Sequence, residues 1–182
     1  TVKITFLYEV ILQEKTIEEA KQLAPLPNVK PGDDFQVYLK GNRLIPLKGP
    51  IIELRDAMQL PNEPIVAAKK VYESLINSMV YNYKAPGAGL GDAIWACDSK
   101  TGDCSDYHSV FIGVCRSAGI PADHEFGIPL RPARPNYPIK DWHCWAKFWV
   151  QGPGWITVDA SEADKHPELK EYLFGTLSSD YL

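Results

Sequence analysis

Nowhere in this chain does an apolar run approach the roughly 20 residues that a membrane-crossing helix needs. Basic residues are not in surplus either. Lys and Arg number 19 against 23 Asp and Glu, for a net charge of −4, which argues against a dedicated nucleic-acid surface. Cysteine is sparse: Cys97, Cys104, Cys115 and Cys144 are all there is. No two of them form a C-x-x-C pair, so the usual zinc-site spacing is missing. Four cysteines are also too few for a disulfide scaffold in a chain this long. Thr1 to Val10 alternates like a strand and lacks the layout of a signal peptide, although a chain trimmed of an export signal would look the same. Internal repeats and low-complexity tracts are absent from the sequence.

What is present suits a globular protein. Apolar residues make up 45% of the 182 and charged residues 23%, enough for a real core in one ordinary domain, or one domain with an appendage. Trp142, Trp145, Trp149 and Trp155 crowd into one short stretch, which reads first as a well-packed sheet. The first sixty residues look mainly extended. Residues 2–8 alternate, Thr16 to Leu23 has capping-box spacing for a turn or two of helix, and Phe35–Leu39 with Leu44–Leu47 reads as a hairpin around Lys40–Arg43. Prolines 25, 27, 31, 46 and 50 punctuate the region. The expectation is an N-terminal accessory, mainly β segment over 1–61 and a catalytic core over 62–182.

Asn62-Glu63-Pro64 has the composition of a helix start, and Ile65, Ala68, Tyr72, Leu75, Ile76 and Met79 follow at helical spacing, to about Tyr81. Lys84 to Gly91, rich in Gly and Pro, reads as loop. A second helix begins at Cys104. Tyr107, Val110, Phe111, Val114, Cys115 and Ala118 form one apolar stripe, with Gly119 at the C′ position and Pro121 beyond. The remainder reads as β: His124–Ile128, then an irregular proline-rich loop over Pro129–Pro138, then His143–Val150. That last strand is apolar on both faces and so central. Gln151–Gly154 turns into Trp155–Asp159, and Glu168–Phe174 reads as a short helix.

Chemistry converges on Cys104. A free thiol has a pKa of about 8.5 and is mostly protonated at neutral pH. A helix N-terminus and a nearby imidazolium can bring it down to roughly 3.5–7.5. Cys104 has the helix terminus. Its neighbours Asp103 and Asp106 oppose the thiolate, so a cationic partner is needed. Of the four histidines, His108 sits one turn along the same helix, away from its mouth. His124 opens a strand and His166 lies in a charged terminal segment. His143 begins the aromatic strand, a rigid place for a base. Asp159 ends the strand paired with it, and Asp141 and Asp164 compete for the role of orienting acid. Register is a difficulty. A hairpin centred on Gly152–Pro153 sets Ala146 opposite Asp159, so a His143–Asp159 contact needs a bulge or a diagonal reach.

The set resembles the transglutaminase-like superfamily. Thr101-Gly-Asp-Cys104-Ser-Asp-Tyr-His-Ser-Val-Phe111 with Cys115-Arg-Ser-Ala-Gly-Ile-Pro-Ala122 is similar to its nucleophile helix, His143-Cys-Trp145 to its histidine strand, and Gly154-Trp-Ile-Thr-Val-Asp159-Ala-Ser161 to its aspartate strand. The three blocks fall in the family's order over about residues 62–177, and the tail from Tyr172 fits the prokaryotic branch. The resemblance implies a papain-like α+β fold, with the nucleophile helix packed on an antiparallel sheet. It also implies Cys104 as nucleophile, His143 as general base and Asp159 as orienter. Acyl transfer needs an oxyanion hole; the Cys104 N–H is one natural donor, and Trp95 is the best-placed indole for the second, with simple packing as its other reading. No calcium-site signature is present, and no metal or cofactor is expected.

These readings converge on a cysteine-dependent acyl-transfer enzyme that acts on peptide or carboxamide bonds through a thioester, with hydrolysis favoured over crosslinking. The alternative is a catalytically silent binding module on the same fold. A protein or peptide is the expected partner, with neither nucleic acid nor a membrane span, and a periplasmic or secreted location is favoured over a cytoplasmic one. Cys115 and Cys144 are expected to be buried and inert.

Overall fold

The computed structural model describes residues 33–129 and 141–176, together with residues 9, 11, 14 and 16. The expectations for the extreme N-terminus, and most of those for the proline-rich loop after Pro129, lie outside them. Element order is a 3-10 helix (Asp33–Leu39), α1 (Pro50–Met58), α2 (Pro64–Ser78), β1 (Val80–Tyr81), α3 (Ala93–Ser99), β2 (Thr101–Gly102), α4 (Cys104–Ser117), β3 (Ala122–Gly127), β4 (His143–Val150), β5 (Gly154–Val158), α5 (Ala160–Lys165) and a closing 3-10 turn (Pro167–Leu169).

The centre of the molecule is α4. Its apolar stripe predicts one buried face, yet every residue from Cys104 to Arg116 is buried. The charged ones, Asp106 and Arg116, survive because they are bonded, whereas the Ser109 hydroxyl is buried with no hydrogen-bond partner. Arg116 donates from Nε to the Ala122 carbonyl (2.8 Å), from Nη1 to the Lys40 carbonyl (2.9 Å) and from Nη2 to Asp123 (3.1 Å), tying the helix end to β3 and to the segment before α1. Gly119 takes a positive φ of 79° just past the helix, as a C′ glycine does.

One side of α4 is covered by an antiparallel sheet in the order β3-β4-β5, with β4 central as its apolar pattern predicts. Strand period sorts β4 by face. Ala146, Phe148 and Val150 belong to the core, with the Phe148 ring 6.2 Å from that of Phe111 of α4 and tilted by 60° to it. Trp145, Lys147 and Trp149 face the other way. Trp145 and Lys147 both bond the Glu125 carboxylate (2.8 and 3.0 Å). Helices α1, α2, α3 and α5 cover the rest of α4, and Ile51, Met58, Val71, Tyr72, Val110 and Phe111 share one core. This is the expected α+β arrangement. Among the described residues no helix is long and apolar enough to cross a membrane.

Several stretches differ from the reading of the sequence. Glu168–Phe174, expected as a short helix, gives only the 3-10 turn Pro167–Leu169, with Phe174 bridged to Val158. Residues 33–39, expected to include a hairpin strand, form a 3-10 helix. At three residues per turn, Phe35 and Tyr38 fall on one side, and both rings meet Trp155 (5.8 and 4.9 Å) while Phe35 also meets Trp149 (5.0 Å). Aromatic packing on the outer face of the sheet overrides alternation. The turn at 42–45 is real, but it is closed locally by the Asn42 side chain, which accepts from the Leu44 and Ile45 N–H groups (2.9 and 2.8 Å). Pro50, read as punctuation, instead starts α1 at N1, where a missing N–H costs nothing. The helix seen at 64–78 is N-capped by the Glu63 side chain, which accepts from Ile65 and Val66, one residue later than the Asn62 start suggests.

Candidate active site

Cys104 is the first residue of α4. Its N–H therefore has no intrahelical acceptor, and the positive end of the helix dipole lies at its thiol. A capping box fixes this terminus: Asp103 accepts from the Ser105 N–H (2.9 Å), and Asp106 accepts from the Asp103 N–H (2.9 Å). The Asp106 carboxylate also takes N–H bonds from Gly89 (2.8 Å) and Gly91 (3.0 Å). The two acids flanking the cysteine are thus engaged with backbone donors. A side chain on Gly102 would meet the Asp106 Cβ at 2.4 Å, so the approach to the helix mouth requires glycine there.

His143 sits at the start of β4, 7% exposed. Its Nε2 bonds Asp159 Oδ2 at 2.6 Å, and its ring also bonds the Cys104 thiol. The strand register explains the reach. β4 and β5 pair Ala146 with Val158 and Val150 with Gly154, so the hairpin is centred on Gly152. Continued by one residue, Trp145 would oppose Asp159, and His143 meets Asp159 diagonally, two positions further along. Neither a bulge nor direct pairing is involved. Asp159 is 4% exposed and also serves as N-cap of α5: its Oδ1 accepts from the Glu162 N–H (2.9 Å) and the Ser161 hydroxyl (3.0 Å). These two local bonds hold Oδ1 and leave Oδ2 for the imidazole.

The electrostatics follow. Contact with the Cys144 thiol, opposed by burial and aided by His143, draws the Cys104 pKa down to about 5. Burial alone would depress His143, but the Asp159 bond, the Cys104 bond and both negative charges outweigh it and lift it to about 10. Asp159 is likewise pushed up by burial yet held below its ordinary value by His143 and His108. Between these limits the pair is thiolate and imidazolium. His108 is fully buried, and burial takes it down to about 3. Its Nε2 accepts from the Ala160 N–H (3.1 Å) and stands 3.6 Å from Asp159 Oδ1, so it backs the carboxylate. His124 is on β3, and exposed His166 lies near Glu162 and Glu168. Of the competing acids, Asp164 accepts from the Tyr81 N–H (2.9 Å).

Cys104 and His143 line a cleft of about 720 Å³, with Tyr81, Tyr83 and Trp142 as aromatic walls and Asp141, Glu162 and Lys165 as charged ones. Trp95 is elsewhere among the described residues: it lies on α3 with its indole against Gly87. Tyr81 was not legible as a site residue, since its place depends on a two-residue parallel pairing that sets Tyr81 beside Gly102, just before Cys104. Burial first, then the Cys104 charge, pushes its pKa up, so its phenol keeps its proton next to the thiolate. Glu162 was missed as well. Its Oε1 is 3.9 Å from His143 Nε2, and it pairs with Lys165, whose ammonium lies over the Tyr81 ring at 4.4 Å.

Known proteins are similar to this chain in sequence and in fold. A structure from Cytophaga hutchinsonii, solved as a suspected cysteine protease, matches 92% of this chain and 54% of its own with a TM-score of 0.56 at 19% identity, which speaks to the fold. The periplasmic domain of TgpA from Pseudomonas aeruginosa, bound to ethylmercury, matches 75% of this chain and 51% of its own with a TM-score of 0.54 at 26% identity. Among curated relatives, an uncharacterized protein of Haemophilus influenzae is 26% identical over 99% of this chain, and a protein-glutamine gamma-glutamyltransferase of Pseudomonas aeruginosa is 29% identical over 70% of it. The chain spans 58% and 20% of the lengths of those two proteins. The fold is thus papain-like, of the transglutaminase-core type. With the family profile matching residues 53–160, across the helix, the histidine strand and the aspartate strand, the chain belongs to the transglutaminase-like superfamily.

Proposed function

We propose that this protein is a cysteine-dependent acyl-transfer enzyme acting on a peptide or carboxamide carbonyl through a thioester. The observation that carries the reading is the continuous bond chain Cys104–His143–Asp159, opening on a cleft. Cys104 thiolate attacks the carbonyl carbon. The negative oxygen that forms is met by the Cys104 N–H at the helix mouth and by the Tyr81 phenol, whose retained proton supports it as the second donor in place of Trp95. His143 imidazolium then protonates the departing amine or ammonia, leaving the thioester. With its proton gone, the same imidazole deprotonates the acceptor that resolves it. Asp159 holds the ring through Nε2 and stabilises its charge, while the other nitrogen serves the thiol.

Water is the favoured acceptor, so hydrolysis of a protein or peptide substrate is favoured over crosslinking. The name of the Pseudomonas transferase and that of the Cytophaga protein mark the two outcomes to compare. A periplasmic setting is also proposed, on the likeness to the periplasmic domain of TgpA. The deciding experiment is a screen of peptide and carboxamide substrates that measures product acid and incorporated amine side by side, with Cys104→Ala as the blank. Product acid without incorporated amine supports the hydrolase. Amine incorporation that outpaces acid release would reverse that preference, and turnover by Cys104→Ala at the wild-type rate would end the acyl-enzyme reading.

A further inference from the structure

Cys144 is the buried nucleophile that this mechanism leaves idle. It is on the core-facing side of β4, in step with Ala146 and Phe148, and so is directed at the helix whose first residue is Cys104. Cys144 is fully buried, does not line the cleft and is unbridged, and so is Cys104 unbridged. The two sulfurs are in hydrogen-bonding contact, with the Cys144 S–H donating to the Cys104 thiolate, and the Cys144 N–H is directed at the same sulfur. Two unbridged thiols in contact, only one of which meets the cleft, are an unequal pair: one can be oxidised from outside, and the other can be reached only through the first.

We propose that Cys144 is a resolving thiol for Cys104, so that a peroxide converts the pair to a Cys104–Cys144 disulfide that shuts the site off reversibly. This rests on reading Cys104 as a reactive thiolate. In the first step the thiolate attacks one peroxide oxygen. The O–O bond breaks, Cys104 becomes a sulfenic acid, and the departing hydroxide takes a proton from His143 or solvent and leaves as water. In the second step the Cys144 sulfur attacks the Cys104 sulfur. The S–O bond breaks, an S–S bond forms, and the hydroxide leaves with the Cys144 proton as a second water. Two thiols lose two electrons, and one peroxide becomes two waters.

The arrangement sets the order of events. While Cys104 is a thiolate, its hydrogen bond to Cys144, then burial, then its charge hold the Cys144 proton firmly in place, which keeps Cys144 inert. A neutral sulfenic acid removes the bond and the charge together and frees Cys144 to react. Closing the bridge brings the sulfurs from hydrogen-bond contact to about 2.05 Å. The bridge occupies the nucleophile, and it also keeps Cys104 from the irreversible sulfinic and sulfonic stages.

The test treats the full-length wild type, Cys144→Ala and Cys144→Ser with graded hydrogen peroxide at neutral pH. Remaining thiols are blocked with iodoacetamide and the peptides are read by mass. The expected wild-type product is a linked Cys104–Cys144 peptide pair lighter by two hydrogens, with iodoacetamide labelling of Cys104 lost and then fully restored by dithiothreitol. In either variant Cys104 is expected to gain two or three oxygens, with no recovery on reduction. The two variants guard against one of them failing to fold. A wild type whose Cys104 gains oxygens as fast as in the variants, with Cys144 still a free thiol, overturns the inference. Labelling of the reduced proteins separates the two levels: Cys104 that labels at mildly acid pH but never bridges sinks the resolving thiol alone, whereas Cys104 that fails to label sinks the nucleophile reading and this inference with it.

Discussion

At Cys104 a thiolate has to be stabilised without losing its nucleophilicity, and the site does so with two kinds of partner. Cys144 and the helix terminus lower the pKa through short-range donation, while His143 supplies a full positive charge. The rate of iodoacetamide alkylation is therefore expected to rise with an acid midpoint near 5 and to hold its plateau through neutral pH. Turnover is expected to fall again near pH 10, where His143 loses the proton that the leaving group needs. His143→Ala removes the charge and one bond, so its alkylation midpoint moves up toward the free-thiol value of about 8.5. Asp159→Asn leaves labelling largely intact but slows turnover, by about 10²- to 10⁴-fold, because the ring loses its orientation and its counter-charge. A wild-type midpoint above about pH 8, no different from His143→Ala, would favour the silent binding module. Tyr81→Phe keeps the ring and removes the proposed donor; turnover is expected to drop by about 10²-fold with the alkylation profile unmoved. An unchanged turnover number would return Tyr81 to a packing role.

At the scale of elements, function depends on how one helix end is built. Asp103 and Asp106 look adverse to a thiolate when read as charges. In the fold they are capping groups, with Asp106 collecting N–H bonds from Gly89, Gly91 and Asp103. Asp103→Ala is expected to lower stability by about 0.5–2 kcal/mol in urea unfolding. It is also expected to slow Cys104 alkylation through fraying of the first turn; full stability with unaltered labelling would show the cap to be dispensable. This dual use explains what could be read in advance. Helix α4 was legible from Tyr107 to Ala118, because apolar periodicity and the Gly119–Pro121 stop agree. Strands β4 and β5 were legible because the aromatic run is bounded by Gly152 and Gly154. Helix α3 was not, since Ala93–Ser99 is a short element, capped by Asp92, too brief to show a periodic apolar pattern. Helix α1 was hidden by Pro50. The 3-10 helix at 33–39 owes its form to Trp149 and Trp155, more than a hundred residues away, and local pattern carries no trace of them. The triad itself was legible because each member sits at a boundary the sequence marks: a helix start, a strand start and a strand end. The geometry joining them was not, because the diagonal reach depends on a hairpin centred at Gly152.

Across the whole molecule, the site leaves a signature in stability as well as in rate, and its sign can be worked out group by group. Cys104 has a folded pKa near 5 against about 8.5 unfolded, so between those values the unfolded chain binds more protons and stability rises with pH. His143 has a folded pKa near 10 against about 6.5 unfolded, so over that window the folded chain binds more protons and stability falls as pH rises. From about 6.5 to 8.5 the two slopes cancel. The pair therefore contributes a climb from pH 5 to about 6.5, a flat stretch to about 8.5, and a descent toward pH 10. Asp159, held below its ordinary value, adds stability that is fully present above about 3.9 and is lost as acid titrates it. Cys104→Ala removes one half of the compensation and weakens the other, because the Cys104 bond and charge are lost while the Asp159 bond and charge still hold the His143 proton. The variant's urea midpoint is expected to decline from about pH 6.5 upward, whereas the wild type's stays level to about 8.5. Parallel curves for the two proteins over that range would mean that Cys104 and His143 do not share charge in the folded state, and the thiolate–imidazolium pair on which the mechanism depends would have to be abandoned.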